Sequence, residues 1–408
     1  MTGARKPMLS RQQALDFLLA ACRPVAEIET VPTLEASGRV LGADCVSSLD
    51  VPARDNTQMD GYAVRAADCA GGSATLPITL PISQRIPAGH VGEPLQPGTA
   101  ARIFTGAFIP EGADAVVMQE QCEAQGDTVA IRHAPVPGEW VRRAGEDIRN
   151  GSVILPAGTR LRSQELGLAA SIGLASLPLL RRVRVAVFFT GDELTMPGEP
   201  LAPGGIYNSN RFTLRALLEN LGCDVTDFGI VPDSLEATRA VLRRAAAGSD
   251  LIITSGGVSV GEEDHVKPAV EAEGKLAMWQ IAIKPGKPLA FGEVGDAFFI
   301  GLPGNPVSSF VTFLLFVRPF LLKLQGVHAG SEPRVFPLRA DFDWKGDRRN
   351  EFLRARINAH GGLDLFPNQG SGVLTSTVWG DGLIDNPADQ PISAGDTVRF
   401  IPFNELLY

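Results

Sequence analysis

The sequence predicts a multidomain protein that combines an α/β core with separate β domains. Three observations carry that prediction. Strand-like runs between residues 183 and 306 end in small-residue loops bearing charged groups: 183–189 (VRVAVFF) in Thr190-Gly191-Asp192-Glu193, 250–255 (DLIITS) in Gly256-Gly257-Val258-Ser259-Val260-Gly261, and 297–301 (AFFIG) in Leu302-Pro303-Gly304-Asn305-Pro306. Strand and helix alternate through 181–325, the order of a doubly wound sheet. The 44 Gly and 30 Pro in 408 residues point to many turns and irregular β structure, in a chain too long for one core.

The elements follow in order. Ser10 and Gln13 form a capping-box pattern ahead of Ala14-Leu15-Asp16-Phe17-Leu18-Leu19-Ala20, a helix that stops before Pro24. From 51 to 140, short β runs near 76–82, 101–104, 115–119 and 128–133 are separated by Pro and Gly, the texture of a small β domain. Residues 141–180 return to the N-terminal pattern, with a helix at 164–172 expected to pack on the first helix. The first domain is therefore discontinuous, 1–50 and 141–180, with 51–140 inserted. The central domain, 181–326, carries strands at 183–189, 224–230, 250–255, near 277–283, 289–294 and 297–301. Its helices lie at 210–221, 234–247, 265–273 and 306–324. Asn210 is the expected cap of its helix, whose apolar stripe is Phe212, Leu214, Leu217, Leu218 and Leu221. Residues 327–408 read as a compact C-terminal, barrel-like β domain.

Composition excludes several classes. A net charge of −9 opposes a general nucleic-acid or acidic-membrane surface. Cys22, Cys45, Cys69, Cys122 and Cys223 are odd in number, scattered and without CxxC, as in reduced cytoplasmic thiols. His90, His133, His265, His328 and His360 show no metal spacing. No signal core is seen, and the longest apolar run, 310–317, is too short to cross a bilayer and sits beside Arg318.

The loops suggest chemistry. In an open parallel sheet they meet at the carboxyl edge of the strands, where ligands bind. Gly256, Gly257 and Gly261 permit close backbone approach to a phosphate, although a ligand-free βα turn has the same composition. Asp264 reads as a helix cap or a Mg²⁺ ligand, and Asp233 as a cap of the helix at Ser234 or a metal-linked acid. Lys284 and Lys287 flank Pro285-Gly286 and precede Pro288. They form a compact oxyanion site or a solvated turn. Trp279 and Trp344 read as packing residues.

The motifs MDGYAV (59–64), IFTGAFIP (103–110), GADAVVMQE (112–120), RRAGEDI (142–148), TGDEL (190–194), IYNSNR (206–211), SGGVSVGEED (255–264), IKPGKPLAFG (283–292), GLPGNPVSS (301–309) and EFLRARI (351–357) span nearly the whole chain. In this order they resemble the bacterial molybdopterin molybdenumtransferase family, the MoeA type, which is similar to the E domains of gephyrin and its plant counterpart. The resemblance implies four domains, the central one molybdopterin-binding-like, and a cytoplasmic homodimer that inserts molybdenum from molybdate into adenylylated molybdopterin, releasing AMP. It implies Mg²⁺ at Asp233 and Asp264. It places Asp60, Thr105, Asp147, Glu193 and Asp264 in or near a catalytic cleft completed across the dimer. Pterin and oxyanion contacts then fall to Thr190, Gly191, Asp192, Ser255, Gly256, Gly257, Ser259, Gly261, Lys284, Lys287, Pro288, Pro303, Gly304, Asn305, Ser308, Arg354 and Ser371. A lone Arg such as Arg354 is otherwise more often a surface residue. The implied partners are the pterin adenylyltransferase and molybdoenzyme maturation proteins, with no nucleic acid and no membrane. Two departures stand out: Asn208 replaces a frequent Asp, leaving one cleft acid neutral, and His265 replaces a frequent aromatic. The alternatives are pterin adenylylation, whose enzymes resemble only 181–325, and a gephyrin-like scaffold, which would need a partner-binding extension that the sequence from Met1 to Tyr408 does not offer.

Overall fold

The computed structural model describes residues 8–258, 265–328 and 332–407. Its centre is a six-stranded sheet in the order Asp224–Val231, Arg184–Thr190, Leu251–Ser255, Ala297–Leu302, Pro288–Val294, Gly274–Gln280. The first four strands are parallel and the last two antiparallel. Both faces of the parallel strands are covered, so they read as nearly unbroken apolar runs. Successive side chains feed opposite cores. Val185, Val187, Phe189, Ile253 and Ile300 join the helices Ser209–Asn220 and Pro306–Leu324. Ala186, Phe188, Ile252 and Phe299 join Leu242 and Ala245 of Leu235–Ala246 and Val266, Ala269 and Val270 of Val266–Glu273.

Two further six-stranded sheets and several two-stranded pairs flank the central sheet. Ile28–Pro32 pairs antiparallel with Ser176–Leu180, and Cys45–Val46 with Val153–Leu155, so the chain returns on itself across the β insert. The insert holds six strands in the order Ala115–Met118, Gly61–Val64, Ala100–Ile103, Ile78–Ile86, Thr128–Ile131, Cys122–Gln125. The C-terminal sheet runs Ile283–Lys284, Asn350–Ile357, Gly382–Asn386, Thr397–Pro402, Phe336–Arg339, with Leu363–Leu365 beside Asn350–Ile357. Its first strand is lent by the central unit.

Several expectations change. The first helix, Arg11–Ala21, does carry its capping box. It does not share a core with the helix Ser163–Ser171, however. Ala14 and Leu18 join the central core, whereas Ala169 joins a separate one with Leu41, Leu161 and Leu177. The reason is an edge contact: Leu9 bridges Ile281, and Phe17 meets Phe291 edge-on at 6.1 Å between centroids. Asn210 is not a cap. The cap is Asn208, whose Oδ1 accepts from the Arg211 amide. Phe212 is 54% exposed and leaves the stripe. The helix Pro306–Leu324 is long and apolar enough to cross a bilayer, against the sequence reading, but 89% of that window is buried in the protein. Arg318 lies inside it at 4% exposure. Its middle, Phe313–Val317, is a π turn. Pro319 supplies the cause, since it removes one N–H and crowds the carbonyl four residues back. All five cysteines are unpaired, and burial pushes the Cys22 and Cys122 thiols up to about 12.

The Leu18→Ala variant tests the placement of the first helix. Leu18 is 0% exposed in the central core, so its loss should cost about 2–5 kcal/mol in denaturant unfolding. A cost below about 0.5 kcal/mol, the range of surface substitutions, would detach this helix from that core.

Candidate active site at the carboxyl edge of the central sheet

Register brings the strand ends into line: Thr190 faces Val231, Phe189 faces Ser255, and Ser255 faces Leu302. The loops that follow are therefore neighbours. Thr190, 4% exposed, donates from Oγ1 to Asp233 Oδ1 at 3.1 Å. Asp233 is thus not the cap of the next helix; Ser234 caps it by accepting from the Ala237 amide. Gly191 has φ 148°, and a Cβ there would stand 2.6 Å from the Glu193 carboxylate. Asp192 and Glu193 are exposed. Gly256 (φ 96°) packs on the Thr190 carbonyl, where a Cβ would come to 3.0 Å, and its amide donates to Leu302 O. Gly257 also has positive φ, 62°.

Asn210 ties two of these loops together, a role that sequence reasoning missed. Its Nδ2 donates to Ser255 Oγ at 2.8 Å and to Gly304 O at 2.7 Å. Ser255 Oγ in turn donates to Pro303 O at 2.9 Å. Asn305 is the N-cap residue of Pro306–Thr312, with Pro306 opening the helix. The only hint was the position of Asn210 one turn from a strand end in IYNSNR.

The residues of the expected oxyanion site gather at the start of that helix. Gly286 (φ 109°) lies against it: a Cβ would be 2.4 Å from Thr312 Oγ1 and 3.6 Å from Ser308 O. The Val307 amide donates to Ser371 O at 3.0 Å, docking the C-terminal unit. Arg354 is fully buried, not a surface residue. Its guanidinium donates to Ser376 Oγ (3.1 Å), Phe352 O (3.3 Å) and Gly370 O (3.2 Å), all neutral acceptors. Burial pulls its pKa down to about 10. Ser308 is buried, Pro288 opens its strand, and Lys287 is exposed with no ion-pair partner among the described residues.

Lys284 is differently placed. Its strand pairs in parallel with Asn350–Ile357, setting Lys284 against Glu351. Nζ donates to Glu351 Oε1 and Asp347 Oδ2, both at 3.1 Å. Trp344 is more than packing: its Nε1 donates to Glu351 Oε2 at 2.7 Å. Burial by itself lowers the Lys284 pKa, but the hydrogen bonds to the two carboxylates outweigh it and raise the pKa. Arg349 first, then Lys284, hold Asp347 well below the usual carboxylate range.

In the β insert, Asp60 Oδ1 accepts from both the amide and hydroxyl of Thr105, each at 2.7 Å. The amide bond is the largest cause of its lowered pKa. Asp147 lies on an exposed turn against Val51. Among the described residues, no hydrogen bond or ion pair joins Asp60, Thr105 or Asp147 to the strand-end loops. Ser259, Gly261 and Asp264 lie outside the described residues. Among the described residues, no three His, Cys, Asp or Glu side chains group to hold a metal. Asp233 fits the other mode, in which Mg²⁺ takes one or two carboxylates and completes its shell with water and substrate phosphate.

These features define a multidomain α/β protein with a ligand site at the carboxyl edge of its parallel strands, closed from one side by a C-terminal β unit. Residues 9–173 match the MoeA N-terminal region (domain I and II), 186–323 a probable molybdopterin binding domain, and 337–403 the MoeA C-terminal region (domain IV). The molybdopterin molybdenumtransferase of Haemophilus influenzae is 41% identical over 408 residues, covering 98% of this chain and 100% of that protein. Molybdopterin molybdenumtransferase 2 of Mycobacterium tuberculosis is 40% identical over 93% and 94%. The solved molybdopterin biosynthesis moeA protein of Pyrococcus horikoshii superposes with a TM-score of 0.85 at 30% identity, over 97% and 100% of the two chains. The chain belongs to the molybdopterin molybdenumtransferase family, transferase enzymes of molybdenum cofactor biosynthesis.

Two measurements check this geometry. Asn210→Ala should cost about 1–3 kcal/mol, because it strands the hydroxyl oxygen of buried Ser255, and should speed amide exchange at Gly256. Unchanged exchange there would remove Asn210 from the scaffold of the loops. Thr105→Val should raise the Asp60 pKa toward the ordinary carboxylate value in an NMR titration. A carboxylate held below its ordinary pKa adds stability above that ordinary value, and loses it as pH falls through the lowered one. The variant should lose only part of this acid-side pH dependence, because the Thr105 amide, the larger cause, still donates to Asp60.

Proposed function

We propose that this protein inserts molybdenum from molybdate into adenylylated molybdopterin, with release of AMP. The observation that carries the reading is the buried Arg354 guanidinium. It has no carboxylate partner among the described residues, and its Nη2 donates to Gly370 O, one residue before Ser371, whose carbonyl receives the amide of Val307 beside Ser308. A buried cation bonded only to neutral groups is costly, and a tetrahedral dianion is the partner it suits. The relatives that match the chain over nearly its full length support the molybdenum transfer over pterin adenylylation or a scaffold role.

In this reading, the backbone of Gly256 and Gly257 and the Pro303–Asn305 turn receive the phosphorylated pterin. Thr190 orients Asp233, and Asp192 and Glu193 border the same edge. Ser259, Gly261 and Asp264 belong to this set. Lys287, Arg354, Ser308, Ser371 and Pro288 receive molybdate. Asp60, Thr105 and Asp147 act in a cleft completed by a second copy of the chain. Asp233 and Asp264 would hold Mg²⁺, which when bound neutralises diphosphate charge. The chain's own contribution is positioning and charge neutralisation around the scissile diphosphate, with no covalent nucleophile.

The same proposal divides the chain into 1–50 with 141–180, 51–140, 181–326 and 327–408. The Ile28–Pro32 pairing with Ser176–Leu180 supports the discontinuous first unit, although the Arg11–Ala21 helix packs on the central core. Exposed Leu34, Val46, Val153, Ile206, Tyr207 and Phe212 support a homodimer. A cytoplasmic setting accords with the five free cysteines. Delivery and hand-over would involve the pterin adenylyltransferase and molybdoenzyme maturation proteins.

AMP release from adenylylated molybdopterin should require both molybdate and Mg²⁺, and release independent of molybdate would overturn the transferase reading. Lys287→Ala should weaken molybdate binding by about ten- to a hundredfold, the scale of one charged hydrogen bond, with less effect on the pterin. Light scattering at micromolar concentration should return a dimer mass.

A further inference from the structure

The oxyanion loop carries two lysines, and the fold treats them differently. Lys287 is exposed and without an ion-pair partner among the described residues. Lys284 is fixed between two carboxylates, Asp347 and Glu351, at 3.1 Å from each. Glu351 is 1% exposed, and both of its oxygens are used, one by Lys284 and the other by Trp344. Arg349 closes the group, donating from its side chain and its amide to Asp347 Oδ1. The cluster holds two cations, Lys284 and Arg349, and two carboxylates, so its formal charge is zero. The Lys284 ring contact is equally committed: Nζ stands 6.0 Å from the Trp344 centroid.

This arrangement is costly for a site that takes a dianion. Hydrogen bonds to the two carboxylates occupy two of the three Nζ donors and turn them away from an incoming oxyanion. The attraction is left to Lys287 and Arg354. Backbone pairing makes the arrangement hard to avoid, because the parallel register sets Lys284 opposite Glu351. Of the two carboxylates, Asp347 is the more accessible. It lines an open recess of about 620 Å³ with Lys345, Gly346, Arg348 and Asp389.

We propose that Asp347 and Glu351 set the affinity of the oxyanion site: by capturing the Lys284 ammonium they withhold its donors from a tetrahedral dianion, so that the anion is held weakly enough to be handed on. The inference rests on the oxyanion reading of the Lys284–Pro288 loop. It assigns these acids a tuning role, distinct from binding the anion themselves.

Calorimetric titration with tungstate, a tetrahedral dianion, tests it on the full-length protein. Asp347→Asn keeps the shape and loosens the hold on Lys284, and should tighten tungstate binding about tenfold, the scale of one charged hydrogen bond made by the released ammonium. A purely structural role for Asp347 predicts loss of affinity, so a gain is diagnostic. In a Lys284→Met background the same substitution should bring no gain. Unchanged or weaker binding by Asp347→Asn overturns the proposal, as does a gain that persists without Lys284. Glu351→Gln, being buried, is the second variant and should act in the same direction if it folds with wild-type circular dichroism. Failure of the underlying reading is distinguishable: Lys287→Ala would then bind tungstate as the wild type does. If Lys287→Ala weakens binding while Asp347→Asn leaves it unchanged, only the tuning role falls.

Discussion

The site depends on one short piece of backbone pairing. Ile283 and Lys284 leave the central unit and add a two-residue parallel strand to the C-terminal sheet, opposite Asn350 and Glu351. The Asn350 amide continues the ladder by donating to Ala282 O. A strand lent across units does what side-chain contacts alone do poorly, because its hydrogen bonds specify register as well as proximity. It holds the Pro285-Gly286 turn against the first turn of Pro306–Thr312, and the same helix start receives Ser371 from the C-terminal unit. Three separate stretches of chain meet there because one ladder allows a single alignment.

Around that clamp, the distribution of charge is uneven in a consistent way. Arg354 is buried among neutral acceptors, whereas Lys284 is surrounded by acid. Burial of an unpaired guanidinium is unfavourable by itself, and the C-terminal sheet tolerates it by supplying Ser376 Oγ and two carbonyls. The effect is a preformed positive centre in a protein of net charge −9. The parallel edge offers the complementary device. Thr190, Ser255 and Asn210 use their polar groups to brace the loops, and the Gly256 amide joins them by donating to Leu302 O. Both devices work by fixing groups in advance, the condition under which electrostatic stabilisation is most effective.

The mixed nature of the central sheet also has a positional consequence. Its parallel strands supply loops at one edge, while the antiparallel strands Pro288–Val294 and Gly274–Gln280 carry the chain back toward the Leu9–Ile281 bridge. The first helix is thereby recruited to the central core, although by chain order it belongs beside the discontinuous first unit. Adjacency in sequence and adjacency in the core are different quantities here, and the difference is decided by the exposed edge of a sheet that an apolar helix covers.

By itself the sequence determined the elements and the order of motifs. Capping residues, period-two apolar runs and glycine turns are local signals, and the central strands and helices fell within one or two residues of their expected positions, as did the capping box of the first helix; the exception is the strand expected near 277–283, which lies three residues earlier at Gly274–Gln280. The three strand-end loops were legible as a ligand edge because parallel topology forces them together. Tertiary structure decided the rest. The N-cap at Asn208 instead of Asn210 turned on a difference of two residues, which left the Asn210 side-chain amide free to reach Ser255 and Gly304. The burial of Arg354, and the capture of Lys284 by Asp347, Glu351 and Trp344, depend on a pairing register between stretches more than sixty residues apart. No local pattern encodes such a register: it is selected by the combined packing of two units, and that packing fixes which of two neighbouring lysines is held between carboxylates.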